Sequence, residues 1–289
     1  MKNRYSKITF EADEGITFEV REQIDGSLVV RAMKSAYELK APYIPKGFDF
    51  ASGEIKTGFV IKRLSDGSEF VWIPVGILDA NATLDGGISS NVKFGRTNFN
   101  NDIFAPNGFH EEFEYGLKEQ ALSVEKYGGF YISRHLISID IECKLHSVFG
   151  QDPYVDFKPS EAIKKARMMC SHKNVSTHVV YGAEYDCVLN WLMKVGKKKK
   201  SEICEDSSSW GNYDSNKMNK TGDIIFCRAN SIYDLAGNVS ELTQERYGNE
   251  DYTIRGGSYK NKKPVSYREA IKADETRNDV GFRVALWIS

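Results

Sequence analysis

The last fifth of the chain constrains the fold most. Asn230-Ser231-Ile232-Tyr233-Asp234-Leu235-Ala236-Gly237-Asn238-Val239-Ser240-Glu241-Leu242-Thr243 leads to Arg255-Gly256-Gly257-Ser258-Tyr259 and then to Gly281-Phe282-Arg283-Val284-Ala285. Asp234 and Gly237-Asn238 suit a turn that enters left-handed backbone geometry, so the chain must reverse there within a few residues.

Upstream, the periodicity changes along the chain. Ile8 to Arg31 alternates in strand fashion around an Asp25-Gly26 turn, which predicts a small N-terminal β-element. Pro42 and Pro45 interrupt it with an extended connector. We therefore expect a β-element over 1–45, able to act as an assembly or docking arm, and a main domain over 46–289. Thr57–Ile61 and Glu69–Val75 flank Ser65-Asp66-Gly67-Ser68 as strand, turn and strand. Residues 79–109 are rich in Asn, Gly and Asp and read as a surface excursion. Helical spacing predicts a helix over Glu111–Lys126, ended by Gly128-Gly129, and a second opening at Pro159-Ser160-Glu161 with Ser160 as N-cap. The clearest stripe is Tyr185, Val188, Leu189, Leu192 and Met193, at i, i+3, i+4, i+7 and i+8. Lys197–Lys200 follows it and reads as an exposed loop near a helix C-terminus.

The order of the three C-terminal motifs resembles the core of the formylglycine-generating enzyme family, also called the sulfatase-modifying-factor family. The resemblance spans residues about 57–289 and implies an α+β, C-type lectin-like fold with much irregular structure. Phe130–Ser138 is similar to the family's second core strand, with Leu136 where an acid usually stands. Tyr181-Gly182-Ala183-Glu184-Tyr185-Asp186 matches in part its proline-threonine-acid-aromatic-acid signature. In catalytic members, the resemblance implies, one cysteine lies three residues after the Gly-Gly-Ser serine and another five further on. Those positions hold Asn261 and Ser266. Two thiolates are what select monovalent copper, so no copper is expected and no catalytic residue is assigned. The five cysteines, Cys143, Cys170, Cys187, Cys204 and Cys227, are scattered with no metal-type spacing and read as small buried hydrophobes.

The resemblance also implies a structural calcium ion at Asp234, Gly237, Val239 and Glu241, two carboxylates with turn carbonyls between them. The alternative is that these residues only build the turn. Arg255, Arg268 and Arg283 surround the motifs, and Arg283 reads as a structural tie. Tyr259, Asn261, Lys262, Ser266, Tyr267, Arg277 and Asn278 have the composition of an adaptable recognition surface and form the expected ligand face for a protein or carbohydrate. His110, His135, His146, His172 and His178 show no HExxH pattern, and neither a GxSxG elbow nor a phosphate loop is present.

Composition limits the partners. A net charge of −1 argues against an electrostatic nucleic-acid binder. No stretch approaches the roughly 18 apolar residues of a membrane span, and the polar start after Met1 shows no signal peptide. The expectation is a cytoplasmically made, non-catalytic binding or display module, incorporated in a phage or prophage particle and oligomerising through its N-terminal region. A diverged oxygen- or metal-dependent enzyme and a purely structural assembly protein are the alternatives.

Overall fold

The computed structural model describes residues 16–22, 28–34, 42–55, 57–77, 91–100, 108–111, 115–172, 174–194, 198–213 and 216–288. The architecture is α+β. Its centre is a seven-stranded antiparallel sheet in the order Ser171–His172, Val175–Val179, Val284–Ile288, Gly129–Ser133, Glu69–Pro74, Val60–Arg63, Phe48–Ser52. The C-terminal strand thus lies inside the sheet, paired on both sides. Ile61 faces Phe70 across the expected strand-turn-strand, and the Asp66 carboxylate organises the turn by accepting from Arg63 Nε at 2.7 Å and the Ser68 amide at 3.0 Å.

Alternation along the central strands feeds two cores, because successive side chains point to opposite faces. Val71, Ile73, Phe130, Ile132 and Ala285 enter one core with Val188, Leu189, Trp191 and Leu192 of α3 (Gly182–Lys194). Phe70, Trp72, Tyr131, Val284 and Leu286 enter the other with Ala162, Ile163 and Ala166 of α2 (Pro159–Met169). The sheet is buried on both faces, α3 and Val124 of the helix Tyr115–Tyr127 on one and α2 on the other. Helix α1 (Tyr115–Tyr127) ends where Gly128 adopts φ 77°, a left-handed cap that glycine takes without steric cost.

Two helix expectations need correction. Lys158 is the N-cap residue of α2, with Pro159 in the first turn, so Ser160 lies inside the helix instead of capping it. The lysine run is not simply a solvated loop: α4 (Lys200–Cys204) begins at its last lysine, and Lys198 Nζ sits 4.4 Å from the Trp210 ring centroid.

A second sheet carries the C-terminal motifs. Its order is Arg268–Ile271, Asp251–Arg255, Ser240–Tyr247, Val280–Phe282, the last pair parallel, with Phe109–His110 also on Ser240–Tyr247. The N-terminal region contributes the hairpin Ile16–Glu22 and Leu28–Lys34, paired from Ile16–Lys34 to Glu22–Leu28. Its expected Asp25-Gly26 turn lies outside the described residues, as does most of 79–109. Among the described residues no helix is long and apolar enough to cross a membrane.

Candidate functional site

The three C-terminal motifs converge on one region. Asp234, Gly237 and Asn238 have φ of 54°, 81° and 61°, the left-handed turn their residue types suggest. A β-carbon on Gly237 would lie 2.6 Å from the Asn212 carbonyl oxygen, so close backbone packing excludes any other residue there. The turn is laced by amides. Asn212 Nδ2 donates to Asp234 Oδ1 at 2.9 Å, the Gly222 amide to Asp234 Oδ2 at 2.8 Å, and the Asn219 amide to Asn238 Oδ1 at 3.0 Å. Nothing in the sequence marked Asn212 or Asn219, because an isolated asparagine carries no spacing signal.

Glu241, at the end of this turn, is fully enclosed. Arg283 Nε donates to its Oε1 at 2.8 Å, while Oε2 is buried without a hydrogen-bond partner. For the implied calcium ion the donor set therefore fits in part: Glu241 has a free, buried oxygen, whereas both oxygens of Asp234 are already engaged by protein donors. Among the described residues no group of three His, Cys, Asp or Glu side chains is placed to hold a metal. Arg283 is the structural tie expected of it, since Nη1 also donates to the carbonyls of Ser133 and Arg134 at 3.1 Å each and Nη2 to that of Tyr233. Leu136, where the family places an acid, is fully buried, with its amide on Thr221 Oγ1 at 3.2 Å.

Beside this turn lies a buried charge network. Asp186, from α3, accepts from Arg255 Nη2 and Arg268 Nη2 at 2.6 Å each and from the Thr97 amide at 2.8 Å. Glu245 accepts from Arg268 Nε at 3.0 Å and from Arg96. All four side chains of the Asp186, Glu245, Arg255 and Arg268 core are fully excluded from solvent. Isolated charges could not persist at such a site, so each arginine must be matched by a carboxylate.

Glu111 extends the network to the start of α3, accepting from the amides of Gly182 at 2.5 Å and Ala183 at 2.9 Å. Burial, with Glu245 beside it, pushes its carboxyl up to about 8 against the pull of those donors and Arg96. Burial likewise pushes Glu241 up to about 7 despite Arg283. A carboxyl raised in the folded state keeps a proton that the unfolded chain releases near 4.5, so its contribution is full below 4.5 and is lost as pH rises towards 8. The difference in unfolding free energy between the wild type and E111Q should therefore shrink by on the order of 2 kcal/mol between pH 5 and 8. Urea titrations across that range check it.

The positions that would hold the two thiols differ in exposure. Asn261 is half-buried and exchanges backbone hydrogen bonds with Ser258 at 2.9 and 3.0 Å. Ser266 is fully buried, so it drops out of the expected ligand face. Its Oγ meets Asn100 Oδ1 at 3.2 Å, its carbonyl accepts from Asn100 Nδ2 at 3.1 Å and Arg255 Nη2 at 3.2 Å, and its amide donates to the Ile203 carbonyl at 3.2 Å. The Cys204 thiol lies near enough to the Ser266 side chain for the hydroxyl to oppose the upward push of burial on it, a proximity that sequence spacing could not reveal. One thiol beside a hydroxyl does not supply two sulfur ligands. All five cysteines are free. Cys143 and Cys170 both line an open cleft of about 880 Å³ between α2 and the turn after Ile139, but Cys170 is buried with Sγ 2.9 Å from Arg63 Nη1.

Of the remaining face residues, Tyr259, Tyr267 and Arg277 are half-buried, and Lys262 and Asn278 are exposed. Arg277 is spent on Asp279 and Glu269 at 2.6–3.1 Å, so it holds the face together more than it offers a free charge.

A mixed α+β domain whose C-terminal motifs wrap a buried charge network is the class that this geometry defines. Residues 190–288, about a third of the chain, match the sulfatase-modifying factor enzyme 1-like domain. Among solved structures, Treponema denticola variable protein 1 is similar, with 14% identity and a TM-score of 0.34 over 84% of this chain and 99% of that one. That likeness is too distant to bear on function. No curated protein matches the chain significantly.

Proposed function

We propose that this protein is a non-catalytic recognition module built on a sulfatase-modifying-factor core of lectin-like fold. The observation that supports it is the state of position 266. A hydroxyl stands where a copper-binding thiolate would be needed, and Asn100, Arg255 and the Ile203 carbonyl close over it. Recognition then falls to the loops around Tyr259, Asn261, Lys262, Tyr267 and Asn278, held by a rigid scaffold. Display on a phage or other particle, with the N-terminal hairpin as docking arm, belongs to the same reading. Cys204 favours the rival, an enzyme with a diverged site using a single thiolate.

Oxygen uptake separates the two. With copper and a thiol-containing peptide the protein should consume oxygen no faster than copper and peptide alone, and protein-dependent turnover would establish the rival. Calcium, in this proposal, is held through Glu241 Oε2 and turn carbonyls and not through Asp234, and it pins the turn. Because the ion must displace a proton, millimolar calcium should raise the unfolding midpoint more at pH 8 than at pH 6, and E241Q should abolish the rise. A calcium response that is absent, or that survives in E241Q, would remove calcium from the account.

A further inference from the structure

Resting on that reading, we propose that the ligand is an anionic polysaccharide, bound by the loop Tyr259–Tyr267. Between its two tyrosines this loop carries Lys260, Lys262 and Lys263 and no acid, on a chain whose overall charge is −1. The positive charge is therefore a local feature. Lys260 Nζ lies 5.6 Å from the Tyr259 ring centroid and is hydrogen-bonded to Asn278 Oδ1, and Lys263 Nζ lies 4.9 Å from the Tyr267 ring centroid. The rings and Asn278 are neutral, and the acid acting on Lys260 is Asp279, which is itself held by Arg277 and Ser258. The acid acting on Lys262 is Asp206, whose carboxylate also accepts the Ser208 amide at 2.8 Å.

The loop is held from beneath at successive residues. Ser258 and Asn261 bridge their backbones, Tyr213 Oη donates to the Lys263 carbonyl at 2.5 Å, the Val265 amide donates to Ser207 Oγ at 2.9 Å, and the Tyr267 amide donates to the Pro264 carbonyl at 2.9 Å. A β-carbon on Gly257 would meet the Asn261 carbonyl oxygen at 2.4 Å, so the loop lies directly on the strand end. Ordering it on binding costs little, which favours affinity from few contacts.

The exposed side chains select the kind of partner. Val265, the loop's aliphatic residue, is fully buried. The loop therefore offers a protein no aliphatic anchor, and its two tyrosines, a residue type that often centres protein interfaces, are half-buried with lysines against their rings. Its tyrosine rings are engaged by lysines, a poor platform for stacking bases. A repeating carboxylate or sulfate chain needs neither anchor nor stack, only spaced cations and hydrogen-bonding groups.

The test is binding of the full chain to heparin and to polygalacturonate, with neutral dextran, polyglutamate and duplex DNA as comparison probes. Both acidic glycans should bind, dextran should not, and raising salt from 0.05 to 0.5 M should weaken binding by more than about tenfold. K260E/K262E/K263E should lose at least about tenfold while retaining its near-ultraviolet circular dichroism. Should the triple variant not fold, K262E alone carries the same expectation at about threefold. Binding of dextran equal to that of the acidic glycans, unchanged affinity in the folded variant, or preference for polyglutamate or DNA would overturn the proposal. Failure of glycan binding with no protein-dependent oxygen uptake rejects this ligand class and leaves the non-catalytic reading standing. Oxygen turnover removes that reading whatever the glycans do.

Discussion

D186A should lower the unfolding free energy by about 3–5 kcal/mol, one of the two largest single-residue effects expected in this molecule. The carboxylate accepts from two fully buried arginines and from the Thr97 amide. Removing it leaves Arg255 and Arg268 sharing Glu245, so positive charge stays in the interior without its counterion. Burying an unmatched guanidinium costs far more than the few methylene contacts of an aspartate are worth. D186N keeps one acceptor oxygen and should fall between the wild type and D186A. Urea unfolding at neutral pH checks the order, and a loss below 1 kcal/mol in D186A would mean that the network is not closed as described.

R283A should cost a similar amount, about 3–5 kcal/mol. Arg283 is fully buried and its fork spans two parts of the fold, the Glu241 carboxylate and Tyr233 carbonyl of the turn, and the Ser133 and Arg134 carbonyls at the end of a central strand. Truncation leaves Glu241 with no hydrogen-bond donor and three carbonyls short of one. R283K should recover less than half of the loss, because an ammonium is a point charge and cannot replace a planar fork reaching both sides. Full recovery by lysine would show that charge alone, and not the fork, holds the turn to the sheet.

These two residues also mark how far the sequence could be read. The α3 helix is legible because Tyr185, Val188, Leu189 and Leu192 repeat at helical spacing, and the structure buries all four. The Asp234 turn is legible because glycine and asparagine tolerate left-handed backbone. Arg283 is legible as a tie because it stands among apolar residues, between Phe282 and Val284, and must be compensated. The network around Asp186 is legible only in part. Glu184 and Asp186 interrupt an otherwise apolar helix, which signals buried partners, but those of Asp186 are Arg255, Arg268 and the Thr97 amide, 69 to 89 residues away in the sequence. Ser266 illustrates the opposite failure. Its loop is polar and reads as exposed, yet its neighbours Val265 and Arg268 turn inward and carry it into the interior beneath Asn100. Local composition reports what a loop is made of and not which of its residues the tertiary fold covers.

The central claim is that the thiolate pair of the family's reaction is missing here and that its place is closed. Competition for monovalent copper against a chromogenic chelator at neutral pH tests it most directly, with C204S as the control for the single thiol beside Ser266. The wild type and C204S should withdraw copper from the chelator equally little. A tight one-to-one copper complex in the wild type that C204S loses would contradict the claim, because it would place a working metal site where Ser266 is described as sealed.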